Sequence, residues 1–79
     1  MEVTIRRAGF RGFRVRAFDL SPDGCKIEFV ERPAPDETVW VKFDDLEAIE
    51  ARVCWVDGHI GGLEFVRPLY LPVFERISR

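Results

Sequence analysis

Apolar and polar residues alternate along most of this chain, in short runs separated by turn-forming residues. Val3 and Ile5 alternate with polar neighbours over residues 2–7, the period of a strand with one buried face. Two glycines bracket the loop Ala8-Gly9-Phe10-Arg11-Gly12 that follows. Phe13, Val15 and Ala17 then alternate with Arg14 and Arg16, predicting a second strand. Its phase flips near Ala17-Phe18, because Phe18 and Leu20 continue the apolar set on the other parity. A bulge or a strand end is expected there, and bulges often stand beside binding sites. Cys25, Ile27 and Phe29 alternate with Lys26 and Glu28 in the cleanest strand of the chain. Beyond the polar loop Glu31–Glu37, Val39, Val41 and Phe43 alternate with Trp40 and Lys42 in a fourth. After the turn Asp44-Asp45-Leu46-Glu47, the longest run places Ile49, Ala51, Val53 and Trp55 on one face, so Trp55 reads as core. Asp57-Gly58 is a strong hairpin signal. The last strand, Ile60–Phe65, is weakened by Gly61-Gly62, the mark of a bend or a close backbone approach.

Arg67-Pro68-Leu69-Tyr70-Leu71-Pro72 ends the alternation. From Pro72 onward Val73, Phe74 and Ile77 have helical spacing, with Pro72 near the first-turn position that tolerates it. Arg76 and Arg79 stand where they complement the helix dipole. Six short strands and a terminal helix predict an all-β domain, an antiparallel meander curled into a small barrel. Curling removes the exposed edges, and the helix is expected to plug one open end.

At 79 residues the chain makes a single domain, 1–79, with a thin core, burying about 60% of its unfolded surface. A hydrophobic fraction of 47% with two Trp, seven Phe and one Tyr is ample for a packed interior. No apolar run approaches the roughly 20 residues of a membrane span, and no apolar leader follows Met1, so a cytoplasmic location is expected. Cys25 and Cys54 each sit in an apolar run and read as free thiols, and His59 is the only histidine, so no metal site is expected. Nor is there a nucleophile beside a base, or a glycine loop opening a helix, and catalysis is not expected. Charge is uneven. Residues 1–16 hold five Arg and one Glu, leaving seven basic and thirteen acidic residues in 17–79. An acidic domain with one basic edge suits a compact anion better than DNA or RNA, which need a broad positive face.

The stretch Asp19-Leu20-Ser21-Pro22-Asp23-Gly24 lies between two apolar runs and just downstream of those arginines. Pro22 pre-sets its own φ, Gly24 is able to take a positive φ, and Asp19 and Ser21 carry short side-chain acceptors. A tight, rigid reversal is expected. With these residues in view, the chain resembles the PilZ domain family, bacterial receptor modules for cyclic di-GMP. The family's first motif, R-x-x-x-R, is found as Arg7-Ala8-Gly9-Phe10-Arg11, and its second, [D/N]-x-S-x-x-G, as Asp19 to Gly24. Ala51-Arg52-Val53-Cys54-Trp55-Val56 and Ile60-Gly61-Gly62-Leu63-Glu64-Phe65 resemble its last two strands.

The resemblance implies a six-stranded antiparallel barrel with a short C-terminal helix, and a cyclic di-GMP site built from Arg7, Arg11, Asp19, Ser21 and Gly24. The chemistry suits that ligand. Guanidinium groups grip phosphate oxygens and stack on purine rings, while a carboxylate accepts from guanine N1–H and N2–H₂. Signalling would follow from ligand-induced ordering or a protein partner, with no membrane insertion. In the family, however, the arginine motif usually lies before the first strand. If residues 2–7 are that strand, Arg7 and Arg11 flank a hairpin instead. Either the chain is a shortened version whose usual arginine segment is absent, the match being a coincidence in an arginine-rich stretch, or the hairpin arginines reach the ligand from another direction. In the first case the domain is a degenerate member that serves as a protein-interaction adaptor. Trp40, out of phase with its apolar neighbours, either covers the outside of the barrel or meets such a partner.

Overall fold

Every strand of this protein has a hydrogen-bonded neighbour on both sides. In the computed structural model, which describes residues 1–78, six strands close on themselves. They are β1 (Glu2–Arg7), β2 (Phe13–Ser21), β3 (Gly24–Glu28), β4 (Thr38–Lys42), β5 (Ile49–Asp57) and β6 (Ile60–Phe65). A single helix, α1 (Leu71–Ile77), follows. All pairs are antiparallel, in the barrel order β1-β2-β3-β6-β5-β4.

That order corrects the simple meander. Two three-stranded meanders, β1-β2-β3 and β4-β5-β6, join through β3–β6 on one side and β1–β4 on the other. The proline-containing loop 29–37 makes this order, because it carries the chain from the end of β3 across the barrel to β4. It is pinned by Phe29 N–H donating to the His59 carbonyl and Asp36 N–H donating to that of Val53, each at 2.8 Å.

Strand alternation decides what is inside. Val3, Ile5, Val15, Ala17, Ile27, Val39, Val41, Ala51 and Val53 point inward and are buried, with Phe43 and Phe65 meeting edge to face at 6.3 Å. Cys25 is buried and free, and burial pushes its thiol up to about 12, which makes it inert at neutral pH. Cys54 is also free but exposed.

Two bulges interrupt the alternation. The first, between Phe18 and Ser21, lies where the apolar phase flips, and it holds Asp19 at φ 52°. The second lies between Val53 and Trp55 and takes up Cys54 as an extra residue. It turns Trp55 outward, 41% exposed, and so overturns the reading of Trp55 as core.

The helix does not plug the barrel. None of its residues is buried; Ile77 and the preceding Leu69 pack against the edge of the core, and Arg76 pairs with Asp45 at 3.4 Å. Arg79, expected beside the helix end, lies outside the described residues.

At the 22–23 turn the need for glycine is steric. Gly24 is not in the positive-φ region, contrary to expectation; a Cβ there would stand 1.9 Å from the Leu63 carbonyl oxygen of the neighbouring strand. The contact is backbone against backbone, so neither side yields cheaply. Gly24→Ala is expected to cost about 3 kcal/mol in urea unfolding, whereas Gly58→Ala, with nothing within 4 Å, bears only the strain of its φ of 61°.

Candidate functional site

The β2–β3 reversal is held from three directions. Ser21 pairs with Gly24 across a two-residue turn of Pro22 and Asp23. The carbonyl of Pro22 accepts from Leu69 N–H and that of Asp23 from Phe65 N–H, both at 2.8 Å. Ser21 Oγ accepts from Asp23 N–H at 3.2 Å and donates to the Gly24 carbonyl at 3.4 Å. Part of the hydroxyl's capacity therefore goes to its own turn, the local capping role open to any serine there.

Asp19 is turned outward by the bulge, and its carboxylate is exposed. It meets one cation, the ammonium of Lys26, at 2.9 Å. Lys26 Nζ in turn stands 5.8 Å from the centre of the Trp55 ring. The indole lies against Gly62, where a Cβ would fall 2.1 Å from Nε1. Gly62 is thus the close backbone approach that the paired glycines of β6 signalled, and Cys54 Sγ donates to its carbonyl at 3.2 Å. Asp19, Ser21, Gly24, Lys26, Trp55 and Glu64 line an open depression of about 260 Å³ on the outer wall. Arg16 projects from the same face of β2, its guanidinium 5.0 Å from the Phe18 ring. The depression thus combines a carboxylate, a hydroxyl, a cation and an exposed aromatic face.

Arg7 and Arg11 are elsewhere. The β1–β2 loop that holds Arg11 caps one end of the barrel, and the 22–23 turn caps the other. Phe13 and Ser21, the two ends of β2, are eight residues apart along the strand, about 25 Å at 3.3 Å per residue. The structure brings Asp19, Ser21 and Gly24 together and leaves both arginines at the far end. Arg7 is engaged there: its Nε and one terminal nitrogen donate to the two oxygens of Glu37, at 2.5 and 2.7 Å, tying the end of β1 to the 31–37 loop. Arg11 is exposed and makes no ion pair among the described residues. Arg6 stacks on Trp40 at 4.3 Å, so the out-of-phase Trp40 covers the outside of the barrel.

The start of the chain, by contrast, lies at the end of the barrel that holds the depression. Met1 exchanges backbone hydrogen bonds with Ala17, its carbonyl accepting at 2.7 Å and its amine donating at 2.9 Å.

This geometry, a closed barrel with an outward Asp-Ser-Gly turn, agrees with the comparison of sequences. A family model described as PilZ domain matches residues 1–78. The chain belongs to the PilZ domain family. Neither a curated protein nor a solved structure matches it. PilZ domains are in general receptor modules for cyclic di-GMP, a binding and regulatory family and not a catalytic one. Within this PilZ domain, no group of three or more His, Cys, Asp or Glu is placed to hold a metal among the described residues. No helix there is long and apolar enough to cross a membrane.

Lys26 and Trp55 line the depression but were not read as site residues from sequence. Lys26 was legible in principle, since it alternates with buried Cys25 and Ile27 and must face outward. Trp55 was not, because a one-residue bulge in a nine-residue strand leaves no mark in an otherwise regular alternation.

The Arg7–Glu37 pair has a pH signature. Hydrogen bonding from Arg7 holds the Glu37 carboxyl below its usual range, helped by Ala34 N–H and opposed by partial burial; the same hydrogen bond raises Arg7. A carboxyl whose folded value is depressed contributes stability that is complete above its unfolded value, about 4.3, and lost as pH falls through the folded value. Glu37→Gln is expected to lower stability by about 1–2 kcal/mol in urea unfolding at pH 7. The difference from the parent should shrink steadily below about pH 4.

Proposed function

We propose that this PilZ domain is a cytoplasmic regulatory module that takes cyclic di-GMP on its outer wall, at the depression formed by Asp19, Ser21 and Gly24. The observation that carries the reading is the intact Asp-Ser-Gly turn opening beside an exposed indole and an ammonium. Asp19 accepts from guanine N1–H and N2–H₂ once Lys26 swings from carboxylate to phosphate. The Trp55 indole, seated against Gly62, supplies a stacking face. Phosphate contacts fall to Lys26 and to Arg16, and Arg7 and Arg11 take no part. Ligand held there would order the side chains of Lys26 and Arg16 or alter the contact of this wall with a partner protein.

The second reading, a PilZ domain that acts as an adaptor without the dinucleotide, is favoured by one observation. Arg7 is tied to Glu37 at the end of the barrel opposite the turn, and neither Arg7 nor Arg11 lines the depression.

Titration calorimetry of the whole chain with cyclic di-GMP at low salt separates the two. The receptor reading expects saturable binding that weakens as salt rises, about tenfold weaker for Asp19→Ala, and within about twofold of the parent for Arg11→Ala or Arg7→Lys. Absence of heat, together with unchanged indole fluorescence, supports the adaptor instead. Capture of one partner equally well with and without the dinucleotide would then complete the adaptor reading.

A further inference from the structure

The end of the barrel that holds Arg7 has a feature unrelated to the dinucleotide-facing wall. Ile5, Arg7, Phe10, Phe13, Phe29 and Val30 surround a mostly apolar cleft of about 90 Å³. That is less than the roughly 150 Å³ apolar cavity that admits benzene, so it has room for one branched aliphatic side chain and none for a nucleotide. Its rim is unusually apolar for a surface: Phe10 is 60% exposed and Val30 66%.

The segment that forms one side of the rim belongs to the basic part of the chain. From Val3 to Phe18 the chain carries five arginines and no acid. Arg7 is neutralised by Glu37, but Arg11 and Arg32, each next in sequence to a lining residue (Phe10 and Glu31), are exposed and make no ion pair among the described residues. Glu31 is the one carboxylate among the lining residues. Because the barrel is closed, no strand edge is free for an added strand, and a partner is left to bind through side chains.

From the concave apolar cleft and the free guanidinium groups beside it, we infer that this end of the barrel docks a short acidic segment of a partner protein. One aliphatic side chain enters the cleft between Phe10, Phe13 and Val30, and flanking Asp or Glu residues meet Arg11 and Arg32. A concave cleft with one deep position favours a peptide over a flat lipid surface. The inference is independent of whether the Asp19 depression takes a ligand.

The test uses the whole chain and a fluorescein-labelled octapeptide with a central leucine among aspartates and glutamates, followed by anisotropy. Two controls replace the leucine by alanine or the acids by lysine. Saturable binding of the acidic leucine peptide is expected, with each control at least about tenfold weaker. The double variants Phe10→Ser/Val30→Ser and Arg11→Glu/Arg32→Glu should each weaken it about tenfold, whereas Asp19→Ala leaves it unchanged. Phe10, Val30, Arg11 and Arg32 are exposed, so circular dichroism should show all variants folded. Binding that ignores peptide charge or both double variants overturns the inference. So does a lack of peptide binding accompanied by sedimentation with vesicles containing phosphatidylglycerol. A dimer in sedimentation that Phe10→Ser/Val30→Ser dissolves overturns it too, by assigning the cleft to a second copy of the chain.

Discussion

The β1–β4 ladder is the constraint on which the rest of the structure depends. Thr4 opposite Lys42, Ile5 opposite Val41, Arg6 opposite Trp40 and Arg7 opposite Val39 join the two ends of the sheet. Once joined, no strand has an unpaired side, and each side chain lies unambiguously inside or outside. A small core then suffices, because closure packs fourteen hydrophobic side chains against one another across a narrow interior. The Arg7–Glu37 pair sits at the end of this ladder and holds the loop that made the closing order reachable.

Bulges are where the barrel gains its chemistry. A regular strand presents every second residue to solvent, and on the outer wall of β2, β3 and β6 that yields Arg16, Phe18, Lys26 and Gly62. The extra residue at Asp19-Leu20 adds a carboxylate in the left-handed region to this surface, and the extra residue at Cys54 adds an indole. Strain at Asp19 is held by the surrounding hydrogen bonds of the turn, in keeping with unusual backbone geometry standing beside functional groups. Gly62 matters here for a different reason: its missing side chain is the space that Trp55 occupies.

A long strand separates the two ends of the barrel chemically. At one end lie a hydrogen-bonded turn, a carboxylate–ammonium pair, an indole and the start of the chain. At the other lie phenylalanines, a small apolar cleft, the Arg7–Glu37 pair and the exposed Arg11. A net charge of −2 conceals this division, since the arginines cluster in the first sixteen residues.

How far this protein was legible in its sequence follows from the range over which each feature is decided. Period-two alternation located all six strands, because a strand with one buried face must alternate whatever it pairs with. The flip at Ala17-Phe18 announced the first bulge for the same reason, the residues on either side being apolar on opposite parities. Asp19, Ser21 and Gly24 were legible as one turn because they lie within six residues of chain. Strand order, the outward swing of Trp55 and the distance from Arg7 to Asp19 were decided only by the tertiary structure. Each depends on contacts between residues far apart in the chain: β1 against β4, the indole against Gly62, Arg7 against Glu37. Spacing in sequence made Arg7 and Asp19 look like neighbours, but the stretch Phe13–Phe18 of β2 runs lengthwise between them and puts them towards opposite ends of the barrel.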